Sequence, residues 1–169
     1  LRARQVPVAG ITARHQAAPS PREVGLPSMP MRSSHLPRTA LYESWNRLGL
    51  PHAESILPGA QLIHATTWAL PPTSLPLVVT VHDLAFLRSP EHFTARGNAY
   101  FSRCLERVIA EASAIIVPSQ ATADDCIAAG IDAARLYVIP HGVRTRTVTD
   151  EQVEGFRAAR GLTRDYILW

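Results

Sequence analysis

The chain contains no lysine: all 17 basic residues are arginine, set against 14 acidic ones. A basic complement without lysine points to compositional bias, and the arginines are scattered rather than clustered. Nucleic-acid binding, which needs a concentrated basic face, is not expected. Cysteine is also scarce. Cys104 and Cys126 are too few for a disulfide framework. Both fall on apolar helical stripes, where they read as small buried hydrophobes in a reducing compartment. No apolar stretch approaches the ~20 residues that cross a bilayer. Leu1–Gly10 holds Arg2 and Arg4 and lacks the apolar core of a signal peptide. Several catalytic signatures are missing as well: GxxxxGK[ST], GxGxxG and GxSxG. Neither CxxC nor HExxH occurs, so no zinc site is expected. Asp124-Asp125 is an adjacent pair inside a helix, not the DxD of metal-dependent sugar transferases, and reads as a solvated face.

What is present suits one ordinary domain. The chain has 169 residues, of which 46% are hydrophobic and 18% charged, enough apolar material for a core. Gln5–Ile11 is a short apolar run and reads as a strand. Ala17–Pro37 carries five prolines, which lack the amide donor, and reads as a loop. Arg38–Leu48 places Leu41, Trp45 and Leu48 on one helical face, with Gly49 as its cap. Gln61–Thr66 and Leu77–Val81 read as strands. Thr94–Ser113 is the clearest helix, with Phe101, Cys104, Leu105, Val108, Ile109 and Ala112 at helical spacing. Ala114–Val117 is a strand, and Ser119 starts a helix that ends before Gly130. Leu136–Ile139 is another strand. Thr149 and Gln152 fit a capping box, and Tyr166–Trp169 reads as a last strand.

Strand and helix alternate through the second half, and the strands are short and continuously apolar. That pattern predicts an α/β fold: a Rossmann-like parallel sheet with helices on both faces. The expected Gly-rich first turn is missing at the front, and the last strand has nothing after it. The pattern is therefore incomplete at both ends, with residues 1–165 as one domain and 166–169 opening another.

In open α/β sheets, ligands bind beyond the carboxyl ends of the strands. Val78-Val79-Thr80-Val81-His82-Asp83 runs an apolar strand into such an end. His82 there can hydrogen-bond a hydroxyl or pass a proton, and Asp83 can orient neighbours or cap the next turn. His64 and Thr66 close the preceding strand and would line the same crevice. Ser119 follows the third strand end, where a helix N-terminus favours anions or sugar hydroxyls. Gly142 follows the fourth and would let the backbone approach a ligand closely. His141 beside it is a weaker candidate.

Three blocks in order, VTVHDLAFL, IIVPSQAT and VIPHGV, together with LPRTALYESWNRLGLP and QLIHATTWALPP upstream, resemble the N-terminal domain of glycosyltransferase family 4 (group 1, mannosyltransferase-like). The resemblance covers roughly Arg38 to Trp169. It implies the N-terminal, acceptor-side half of a GT-B fold. It also implies a retaining transferase that moves a sugar from a nucleotide-sugar co-substrate to a hydroxyl acceptor, glycan or lipid-linked, without a metal or other cofactor. By that likeness His82 would be the catalytic contact near the reacting centre. His64, Thr66, Asp83, Ser119 and Gly142 would bind substrate. Residues 166–169 would be the first strand of the donor-binding half, and the chain by itself would not transfer sugar. A cytoplasmic enzyme is expected, with peripheral contact at the inner membrane surface left open because no basic amphipathic helix demands it. Two alternatives use the same features: a GT-B sugar-nucleotide epimerase and a non-catalytic carbohydrate-binding module.

Overall fold

A computed structural model describes residues 6–15, 29–143 and 147–167. The architecture is α/β, with parallel sheets flanked by helices. Strand β1 (Gly10–Arg14) pairs in parallel with β2 (Met31–Pro37) as a two-stranded sheet. Helices α1 (Arg38–Arg47) and α2 (Ala53–Ile56) follow. A four-stranded sheet then takes strands β3 (Ile63–Ala65), β4 (Leu77–Thr80), β5 (Ala114–Val117) and β6 (Leu136–Val138) in sequence order. Helix α3 (Ala85–Arg88) and the long α4 (Ala95–Glu111) lie between β4 and β5. Helix α5 (Gln120–Ala128) joins β5 to β6, and α6 (Asp150–Ala159) follows. Among the described residues, no helix is long and apolar enough to cross a membrane.

Three expectations shift here. The first strand lies at Gly10–Arg14, not Gln5–Ile11; Gln5 lies outside the described residues. Pro7 interrupts the earlier run and has no amide to give a ladder. The Pro-rich stretch is not all loop, because Met31–Pro37 forms β2. Pro30 and Pro37 bracket six proline-free residues that are free to pair, and the Gly10 amide donates to the Pro30 carbonyl at 2.8 Å. Residues 16–28 lie outside the described residues. At the far end Tyr166 and Ile167 belong to no regular element, and Leu168 and Trp169 lie outside the described residues.

The core sits on one face of the four-stranded sheet. Ile63, Leu77, Val79, Ile115 and Val117 are buried there against Leu105 and Val108 of α4 and Ala123 and Cys126 of α5. The alternate residues, His64, Val78, Thr80, Ala114 and Ile116, are less deeply covered. Cys104 and Cys126 are buried as expected, and burial pushes the Cys126 thiol up to about 11, so it stays protonated and inert. A smaller cluster of Ala13, Leu41 and Trp45 joins β1 to α1.

Side chains that close open backbone groups lock the layers together. The Arg107 guanidinium donates to the Trp45 and Leu70 carbonyls at 3.2 and 2.9 Å and pairs with both Glu111 oxygens. It thereby ties α1, α4 and the chain after β3 into one body. Arg135 donates to the Ile109 and Ala112 carbonyls at the end of α4, where helix carbonyls lack partners. Glu54 Oε1 accepts from the Thr73 hydroxyl and from the Ser74 amide and hydroxyl, fixing the approach to β4. Burial alone would raise the Glu54 carboxyl, but these bonds and that from its own amide outweigh it and lower it to about 2.

Ile115 is fully buried at the centre of the sheet. Ile115→Ala is expected to lower the unfolding free energy by about 2–5 kcal/mol, measured by urea denaturation.

Candidate active site

The four strands run parallel and in register, so their carboxyl ends finish at one edge. Two backbone bonds carry the ladder past the strands proper. The Val81 amide donates to the Ile116 carbonyl at 2.9 Å, and the Ile139 amide donates to the Val117 carbonyl at 2.8 Å. His82 and His141 therefore stand one and two residues beyond paired backbone. β4 and β6 flank β5, and strands ~4.8 Å apart would leave their ends about 10 Å apart. Beyond Val117 the chain of β5 turns away into α5. Over that end the His82 and His141 rings stack, with centroids 5.3 Å apart and planes inclined by 29°.

His82 is held from two further sides. Its Nε2 lies 2.9 Å from the Thr66 carbonyl beyond β3. Its own carbonyl accepts from the Thr122 hydroxyl of α5 at 3.3 Å. Thr122 is buried and in turn touches Ser119, whose hydroxyl caps α5 by accepting from the Thr122 amide at 3.2 Å. One connected set thus links the ends of all four strands: Thr66, His82, Ser119–Thr122 and His141. Apart from Thr122 these residues are exposed, open to a ligand.

The other expected residues have different employment. Asp83 spends one carboxylate oxygen on the Ala85 amide, at 3.0 Å, starting α3. His64 lies within β3, and its Nε2 is 2.9 Å from the Thr80 hydroxyl, so it joins Thr80 rather than His82. Gly142 needs neither a positive φ nor room: a Cβ there would meet nothing within 4 Å. Sequence reasoning passed over Thr80 and Thr122, ordinary threonines in a strand and a helix, and gave His141 less weight than His82, which its ring stacks upon. The only signal for His141 was its place after a strand end. Among the described residues, two hollows of about 390 and 450 Å³ lie elsewhere, around Trp45 and Arg107 and around Ser33 and Leu50. Arg107 and Glu111 of the first pair with each other, and Ser33, Ser44 and Ser55 of the second donate to backbone carbonyls, so the crevice at the strand ends is the better candidate on chemistry.

The model for Glycosyltransferase Family 4 matches residues 1–147 of the chain. The chain belongs to glycosyltransferase family 4. A search of curated proteins found no match. Family membership makes this a glycosyltransferase domain, and its parallel sheet carries polar residues beyond the carboxyl ends of the strands.

Desolvation lowers the His64 imidazole below its ordinary value of 6.5. The folded chain then binds that proton more weakly than the unfolded chain does, so stability is complete above pH 6.5 and declines as pH falls below it. His64→Gln is expected to flatten this decline in a comparison of denaturation midpoints between pH 7.5 and 5. The effect will be modest, because the ring is only partly withdrawn from solvent.

Proposed function

We propose that the chain is the acceptor-side half of a retaining, GT-B glycosyltransferase. It would transfer a hexose of mannosyl type from a nucleotide sugar to the hydroxyl of a glycan or lipid-linked acceptor, with no metal or other cofactor, at the cytoplasmic side. In the reaction the acceptor oxygen bonds to the anomeric carbon as the bond from that carbon to the nucleoside diphosphate breaks. The proton of the hydroxyl departs with the diphosphate. His82 contacts the hydroxyl at the reacting centre and positions it. Thr66, Ser119 and His141 shape the crevice around it.

The observation that carries this reading is the convergence of His82, Thr66, Ser119 and His141 on one edge of the sheet in a chain of this family. Their chemistry, neutral hydroxyl, imidazole and carbonyl groups beside apolar strands, suits a polyol better than a phosphate, for which a clustered basic face is the usual partner. The acceptor hydroxyl and the transferred sugar are therefore assigned to this half.

Titration of the labelled chain with methyl α-D-mannopyranoside should move the amide signals of Thr66, His82, Ser119 and His141, and His82→Ala should weaken binding at least ~10-fold. Shifts gathered around Trp45 and Arg107 instead, with His82→Ala binding normally, would reject this assignment.

A further inference from the structure

The Thr66 carbonyl can only accept, so His82 must donate to it. The proton of the neutral imidazole is thereby placed on Nε2, and Nδ1 is left with its lone pair. Among the described residues, Nδ1 has no hydrogen-bond partner, and the side chain is exposed. A lone pair on an exposed ring at the strand ends is an acceptor for a hydroxyl proton, which a protonated nitrogen is not.

A single hydrogen bond to a carbonyl does not fix an imidazole plane, because the ring can swing about that bond. The second constraint comes from His141, stacked 5.3 Å away at an inclination of 29°. Its chain is secured by the Ile139–Val117 backbone bond two residues earlier, so the stacking partner is anchored to the sheet rather than to a wandering loop. Bond and stack act on different motions of the same ring: one sets tautomer and distance, the other sets the plane. Resting on the reading of the crevice as a hydroxyl site, we propose that His141 is a positioning residue: by fixing the plane of the His82 ring it keeps Nε2–H on the Thr66 carbonyl, and so preserves that tautomer, with Nδ1 turned to the hydroxyl of the bound sugar. His141 itself touches no reacting atom in this arrangement. A face of similar shape that cannot titrate should replace it, whereas a small side chain should not.

The test is long-range proton–nitrogen NMR on the histidine-labelled chain, with His82 assigned through His82→Gln. Nitrogen shifts separate a protonated ring nitrogen from a bare one directly. The expected result at pH 8 is a protonated Nε2 and a bare Nδ1 for His82. In His141→Ala both nitrogens should move toward averaged values as the tautomers mix, and in His141→Phe they should return to the wild-type pattern. His141 is exposed in a loop, so the amide spectrum of the core should not change in either variant. Binding of methyl α-D-mannopyranoside should fall about 2- to 10-fold in His141→Ala and recover in His141→Phe. A protonated Nδ1 in the wild type would overturn the proposal, as would a His82 signature untouched by His141→Ala or a phenylalanine variant that behaves like the alanine one. The tautomer readings need no ligand. A chain that shows them but binds no glycoside would keep the positioning role and reject the hydroxyl-site reading.

Discussion

The parallel ladder from β3 to β6 is the constraint on which everything else depends. Parallel pairing with Ile63 beside Leu77, Val79 beside Ile115 and Ile116 beside Tyr137 makes four chains end at one edge. Backbone polarity is shared at that edge, so every loop there begins at a strand's carboxyl end. Polar residues placed just after each strand must then meet, wherever they lie in sequence. His82 and His141 are 59 positions apart along the chain and in ring contact in space. The buried face of the sheet supplies the rigidity. Val79, Ile115 and Val117 have essentially no exposed surface, and α4 and α5 press on them from one side. Close packing of that kind leaves little freedom for a strand to slip, and a one-residue slip would turn His82 to the opposite face.

Arginine does much of the fastening outside that core, which gives a structural use to a chain without lysine. Arg107 forks onto Glu111 while its remaining nitrogen reaches two backbone carbonyls, and Arg135 closes the end of α4. A lysine, with one compact ammonium, would not reach both kinds of partner from a single position. These contacts hold α1 and α4 in place at a distance from the crevice, leaving the strand ends accessible while their supports are fixed.

Much of this was legible in the residues, and the failures have physical causes. Strands β3 to β6 and helices α4 to α6 appear in the apolar pattern and its caps: Ser119 and Thr149 each accept the amide they were expected to accept, and Thr94 caps α4 in the same way. The β1–β2 pair was misread because proline content was taken for a whole segment, whereas pairing depends on where each proline stands. Pro7 breaks one run, and Pro30 and Pro37 merely bracket another. At the candidate site, strand-end position points to His82 and Thr66, which the fold brings within hydrogen-bond distance. Asp83 and His64 share that position but are taken up by the Ala85 amide and the Thr80 hydroxyl, partners that only the fold reveals. The ring contact of His141 across β5 is hidden for another reason: no local pattern encodes it.

We propose that the edge where β3, β4, β5 and β6 end is the sugar-binding surface of this family 4 domain. The most direct measurement is a crystal structure of the chain soaked with methyl α-D-mannopyranoside. The account predicts a sugar lying over the end of β5 with one hydroxyl within hydrogen-bond distance of His82 Nδ1. A sugar seated instead between Trp45 and Arg107, with the strand ends empty at the same concentration, would contradict it.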